Sequence, residues 1–154
     1  MRTWEDYKKT MTVPATLHTA AKADDIAQLA RLIDDGAEIN ERNARGYSPL
    51  MLAVYAGHRR TAQALLRLGA DPESPDFGGS TVLMGAAFKG HIDLMEMLID
   101  FGADIHAKNA SGLTAYDFAT TFGRTEAAEL LAARGALAHK RSRIANFLKM
   151  VINR

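Results

Sequence analysis

The chain reads as an all-α solenoid of stacked helix–turn–helix units, and three observations say so. Gly36, Gly69, Gly102 and Gly135 stand 33 residues apart, each followed by Ala and preceded by an apolar, helix-like run. Gly46, Gly79 and Gly112 keep that interval, as do Gly57, Gly90 and Gly123. So do Ala20, Ala53, Ala86 and Ala119, while Leu17, Leu50 and Leu83 share a column with Tyr116 in its fourth place. A period of this length marks a repeat architecture. Two short helices and a turn cannot bury a core alone, so each unit must stack on its neighbours. The alanine columns fit this, because small side chains let adjacent helices approach closely.

Taken in order, residues 1–11 lack the repeat and are expected to cap it, and the first unit, 12–42, follows. It keeps Leu17-His18-Thr19-Ala20 and Gly36-Ala37 but has Asp24 where the other units have glycine. The second unit, 43–75, opens with Asn43-Ala44-Arg45-Gly46-Tyr47-Ser48-Pro49-Leu50. Gly46 permits a positive φ in the turn. A hydroxyl residue then caps a helix, with Pro at the first helical position, where its missing N–H costs nothing. The third unit, 76–108, keeps the cap as Gly79-Ser80-Thr81-Val82 and loses the Pro. Its second helix is expected over His91–Asp100, with Leu94, Met97, Leu98 and Phe101 at helical spacing. Gly102 ends that helix in a left-handed cap, and Ala103-Asp104-Ile105 links to the next turn. The fourth unit, 109–138, carries Gly112-Leu113-Thr114-Ala115-Tyr116. Residues 139–154 read as a basic amphipathic helix, with Ile144, Phe147, Leu148, Val151 and Ile152 on one face, expected to cover the last unit. The whole of 1–154 is one domain on this reading.

Composition narrows the function classes. Hydrophobic residues make up 47% and charged residues 24%, which describes a folded chain; aromatics at 7% leave the core to Leu, Ile, Ala and Met. The chain has no cysteine, which excludes disulfides, zinc thiolates and cysteine nucleophiles. Its N-terminus has no apolar run of the secretory kind, and no stretch approaches the ~20 apolar residues that cross a bilayer. A cytoplasmic location is expected. The 19 Lys and Arg against 18 Asp and Glu hide an asymmetry. Five of the basic residues and none of the acids fall in 138–154, which leaves 14 against 18 in the rest.

No catalytic, metal or cofactor constellation is legible. His58 and His91 follow the mid-repeat glycine and His18 sits at a helix start, so all three read as framework, and no two histidines have metal-ligand spacing on one helix. Asp34, Asp35, Glu38, Glu41, Glu73 and Asp76 form an acidic run that reads as a solvated loop edge rather than a paired-carboxylate site. Gly78-Gly79-Ser80 lacks the lysine of a phosphate loop and marks a turn.

The framework resembles the ankyrin repeat family. The resemblance rests on Ser48-Pro49-Leu50, Ala53, Gly57-His58, Leu65-Leu66 and Gly69-Ala70-Asp71. These recur as Thr81, Leu83, Ala86, Gly90-His91, Leu98 and Gly102-Ala103-Asp104. It covers roughly residues 12–137 and implies an ankyrin repeat solenoid with hairpin-like loops projecting to one side. It also implies that loop tips and the outer ends of the first helices form a concave face that binds a protein. Carried over position by position, that face takes Arg42, Arg45, Tyr47, Tyr55, Phe77, Phe88, Lys89, Leu113 and Phe122, with Lys22 from the first unit. Six of these are large and apolar where the framework demands none, and exposed apolar patches mark interaction sites.

The expectation is therefore a non-enzymatic protein-binding module, monomeric alone, of the inhibitor, immunity or adaptor kind, needing no cofactor or metal. Nucleic acid and membrane are not expected as partners. The competing reading is a polyanion or membrane-surface binder acting through 139–154.

Overall fold

The computed structural model describes Thr3 and residues 15–136. The expected N-terminal cap over 1–11, Thr3 apart, and the expected basic helix over 139–154 lie outside the described residues. Among those described, eight helices pair in chain order and no strand forms. The pairs are α1 (Leu17–Lys22) with α2 (Ile26–Asp34), α3 (Pro49–Ala56) with α4 (Arg59–Arg67), α5 (Val82–Lys89) with α6 (Ile92–Asp100), and α7 (Ala115–Thr121) with α8 (Thr125–Ala133).

The start of every first helix is set by a hydroxyl. Thr16, Ser48, Thr81 and Thr114 lie in extended backbone, and their side-chain oxygens accept from the N–H groups of Thr19, Met51, Met84 and Asp117. Each satisfies one of the donors that a helix start leaves without an intrahelical partner. Pro49 occupies the first turn of α3, as its fixed φ favours. The first-unit cap, Thr16, completes a set of four of which the sequence had displayed three.

Helix ends use left-handed backbone, and one of them departs from glycine. α3 and α5 close at Gly57 and Gly90, with φ of 79° and 76°. Asp24 holds the same column in the first unit with φ 60°, the one non-glycine residue at positive φ among those described. Aspartate tolerates this region better than most residues do. Here its carboxylate is also used: Oδ1 accepts from the Thr61 hydroxyl at 2.5 Å and lies 4.0 Å from His58 Nδ1. Thr61 is fully buried, so Asp24 is what satisfies its hydroxyl. Asp24→Ala is therefore expected to cost about 2 kcal/mol, because the strain stays and a buried donor is orphaned. Urea denaturation checks this. Asp24→Gly relieves the strain and is expected to lose less; equal losses would show that the carboxylate alone matters.

The first helices, α1, α3, α5 and α7, stack side by side, and the second helices form a parallel row behind them. Between the rows lies one continuous core containing Leu29, Leu50, Leu65, Leu83, Leu94, Leu98 and Leu131, all essentially without solvent contact. The alanine column Ala20, Ala53, Ala86 and Ala119 is buried throughout. Met51 and Met84 are core, as their places at the helix starts imply. One expectation fails. Phe101 does not join the apolar stripe of α6; it is the C-cap residue, 41% exposed, while Met95 is fully buried. Helical spacing extrapolates a face past the end of the helix, where the backbone turns away. His91 likewise precedes α6 as its N-cap rather than opening it.

Side chains clasp each unit to its neighbour's main chain. His18 Nε2 lies 2.8 Å and 3.1 Å from the carbonyls of Glu41 and Tyr47, so that nitrogen carries the proton and donates. His58 Nε2 donates to the Lys22 carbonyl, and Arg124, in the same column, donates to the Phe88 carbonyl. Arg59 donates to the Asp93 carbonyl. The framework reading of His18 and His58 thus acquires its physical reason.

Candidate protein-binding face

The turns that carry the loop residues are built by a second side-chain column. Asn43 Oδ1 accepts from the N–H groups of Arg45 and Tyr47, Asp76 Oδ1 from Gly78 and Ser80, and Asn109 Oδ1 from Ser111 and Leu113. Such side chains mimic a backbone turn and fix the residues that follow. The signal was available at Asn43, Asp76 and Asn109, a column at the 33-residue interval three residues before each turn glycine. Asp76 is thus a turn former and not part of a solvated acidic edge. Glu73 departs from that reading too: its Oε1 accepts from the Asp104 N–H at 2.8 Å, tying the second unit to the third. Burial pushes its carboxyl above the usual glutamate range, against the opposing effect of that hydrogen bond, and the nearby Asp104 and Asp71 add to the rise.

On this scaffold the expected aromatic residues form a connected ladder. Tyr47 and Tyr55 lie 5.8 Å apart between ring centroids at 46°, and Tyr55 and Phe88 6.4 Å apart at 63°. Phe88 meets Phe122 edge to face at 4.6 Å and 86°. These separations and tilts lie in the range that aromatic quadrupoles favour. Phe118 extends the ladder, 6.3 Å from Phe122, and was missed; it stands four residues earlier, one helical turn back.

The rungs are not equally open. Phe77, Phe122 and Leu113 are 70%, 49% and 41% exposed. Tyr47, Tyr55 and Phe88 are only half-open, and the two tyrosines pack on the core cluster. For Tyr55 the reason is a small-residue seat: Gly85 of α5 lies so close beneath it that an added Cβ would stand 3.2 Å from its ring. The expectation of a uniformly exposed stripe is corrected: the ladder is half-buried at Tyr47, Tyr55, Phe88 and Phe118 and open at Phe122, and Phe77 and Leu113 stand open on the turns. Burial, with Tyr47 and Asp76 adding to it, keeps the Tyr55 phenol protonated beyond its ordinary range.

Cations stand on the rings. The Arg42 guanidinium lies 5.7 Å over the Phe77 ring and donates to the Pro75 carbonyl at 3.3 Å. The Lys89 ammonium lies 5.9 Å over Phe88. Lys22 and Arg45 line a recess of about 340 Å³ together with His18 and Tyr47. Leu113 stands on the turn of the fourth unit that Asn109 fixes.

Comparison with known proteins places these features in context. Two family models, each described as ankyrin repeats in many copies, match residues 17–66 and 65–119. A mitochondrial disaggregase of Bos taurus is 37% identical over 62 residues, which is 40% of this chain and 9% of that protein. The ADP-ribosylation factor GTPase-activating protein AGD2 of Arabidopsis thaliana is 39% identical over 62 residues, 40% of this chain and 8% of the relative. An ankyrin repeat protein of Fowlpox virus is 37% identical over 57 residues, 36% of this chain and 10% of its own length. The chain thus spans about a tenth or less of the length of these relatives.

Proposed function

We propose, from the premise that this chain belongs to the ankyrin repeat family, that it is a non-enzymatic module that holds a protein partner on the ring-bearing face. Ankyrin repeats in general mediate protein–protein interaction, and the ladder from Tyr47 to Phe122 is the observation that supports this face. Its open ring at Phe122 and the outward faces of the half-buried rings offer large apolar groups to a partner, and packing on the core holds those groups still. A ring already fixed by packing loses little freedom on binding, which favours affinity. Aromatic and arginine anchors of this kind dominate the energetics of protein interfaces. The finer part of the proposal is that Arg42, Arg45, Tyr47, Tyr55, Phe77, Phe88, Lys89, Leu113 and Phe122 make the contact. A cytoplasmic adaptor or inhibitor, monomeric until it meets its partner, is the role such a face suits. Among the described residues no helix is long and apolar enough to cross a membrane.

The test is a tagged capture from native lysate followed by affinity measurement on the recovered protein. Tyr55→Ala with Phe88→Ala is expected to weaken binding tenfold or more, about 1.4 kcal/mol. Because both rings are half-buried, Phe77→Ser with Phe122→Ser serves as the second variant, changing rings that stand open. A partner held at wild-type affinity by both double variants would sink the assignment.

A further inference from the structure

We infer that the partner segment held on the ring face is acidic, with apolar side chains interspersed among its carboxylates; this rests on the binding role proposed above. The argument begins with where the charges lie. Residues 1–137 carry more acids than bases, yet the ring face carries Lys22, Arg42, Arg45 and Lys89, all exposed. Asp76 is a carboxylate close to the ladder, and its Oδ1 is occupied by two backbone N–H groups of its own turn. The ion pairs formed among the described residues, Asp24 with His58, Asp93 with Arg59 and Asp100 with Arg134, involve none of those four cations. Among the described residues, no carboxylate forms an ion pair with any of these four cations.

The cations are also held in place. Arg42 is fixed between the Phe77 ring and the Pro75 carbonyl, and Lys89 stands over Phe88. A cation over an aromatic face keeps its charge and its outward donors. Lys22 and Arg45 converge on the recess beside Tyr47, at the end of the ladder opposite Phe122. An occupant of this surface therefore meets a line of rings bordered by positive charge along its length. Electrostatic complementarity of that kind selects a negatively charged partner and speeds its encounter.

Single-stranded nucleic acid, the other polyanion that combines charge with flat apolar groups, fits less well. It needs ring faces open for successive bases to stack on. Here the rings from Tyr47 to Phe122 meet at 46°, 63° and 86°, tilted or edge against face, with Phe118 and Phe122 stacked on each other at 25°, and Phe77 and Phe88 each carry a cation. A peptide needs only apolar edges and clefts between rings, which this geometry supplies.

A random-peptide phage library selected against the whole chain tests the inference, with a fluorescein-labelled oligo-dT strand measured beside it. The selected sequences are expected to be rich in Asp and Glu around one or two Leu, Phe or Trp. A synthetic peptide of the consensus is expected to bind Arg45→Glu with Lys89→Glu about tenfold more weakly than wild type. Both side chains are exposed, so that variant should keep its melting curve. Selection of apolar peptides without acidic excess, whose affinity falls in Tyr55→Ala with Phe88→Ala, would overturn the acidic preference and leave the binding face standing. Acidic peptides indifferent to both pairs of substitutions would overturn the inference and the face together. No enrichment at all, or tight oligo-dT binding in its place, would also overturn it.

Discussion

Leu83→Ala is expected to remove about 3 kcal/mol of stability, the largest single loss from any one side chain considered. Leu83 is fully buried in α5, which packs on α3 before it and α7 after it. Truncating a buried leucine loses its transfer free energy and leaves a cavity, together about 2–5 kcal/mol. A solenoid adds a further consequence. Its stability is the sum of what each unit contributes and what each pair of neighbours contributes. A hole in an interior unit weakens both of its interfaces, whereas the equivalent change at Leu17 touches the one after it among the described units. Urea titration of both variants checks this: Leu83→Ala should lose more than Leu17→Ala. A loss below about 1 kcal/mol at Leu83 would mean that the methionine-rich core repacks to fill the space.

Gly46→Ala is expected to cost about 2–3 kcal/mol. Gly46 has φ 83°, in the left-handed region that side chains disfavour. An added Cβ would also lie 2.7 Å from the Phe77 backbone nitrogen and 2.8 Å from its Cγ. A ring can swing aside, but a backbone nitrogen moves only with its loop, and overpacking of this kind costs about 1–3 kcal/mol. Gly112→Ala is the control. It has φ 75° and nothing within 4 Å of the added Cβ, so it carries the conformational cost of about 1 kcal/mol alone. Thermal melts of the two variants isolate the steric contribution. Equal losses would show that the second loop yields freely and that Phe77 is not held by Gly46.

Most of the fold was legible because the sequence states it several times. A single Gly–Ala pair says little, whereas one recurring at a fixed interval with hydroxyl caps and alanine columns leaves few architectures. Even the exception at Asp24 stood in its column, though its bond to Thr61 depends on how two units meet. The site was legible in its membership and not in its geometry. Tyr47, Tyr55, Phe88 and Phe122 could be placed on one face by register. That Tyr55 is half-buried depends on the glycine seat beneath it, contributed by the next unit. Phe101 and Asp76 were misread for one reason: each was judged by its local run, and its role is set at a helix end or within a turn.

The clasps between units have an implication for how such a chain can change length. His58, Arg59 and Arg124 each reach a carbonyl oxygen of the adjoining unit, and Asn40 accepts from the N–H of Asp71. A main-chain acceptor or donor is the same whatever side chain it bears. A unit duplicated within the array would find these main-chain sockets on both sides, while side-chain fits such as Tyr55 over Gly85 and Thr61 on Asp24 would still have to match. The array is thus built to be lengthened or shortened by whole units in evolution.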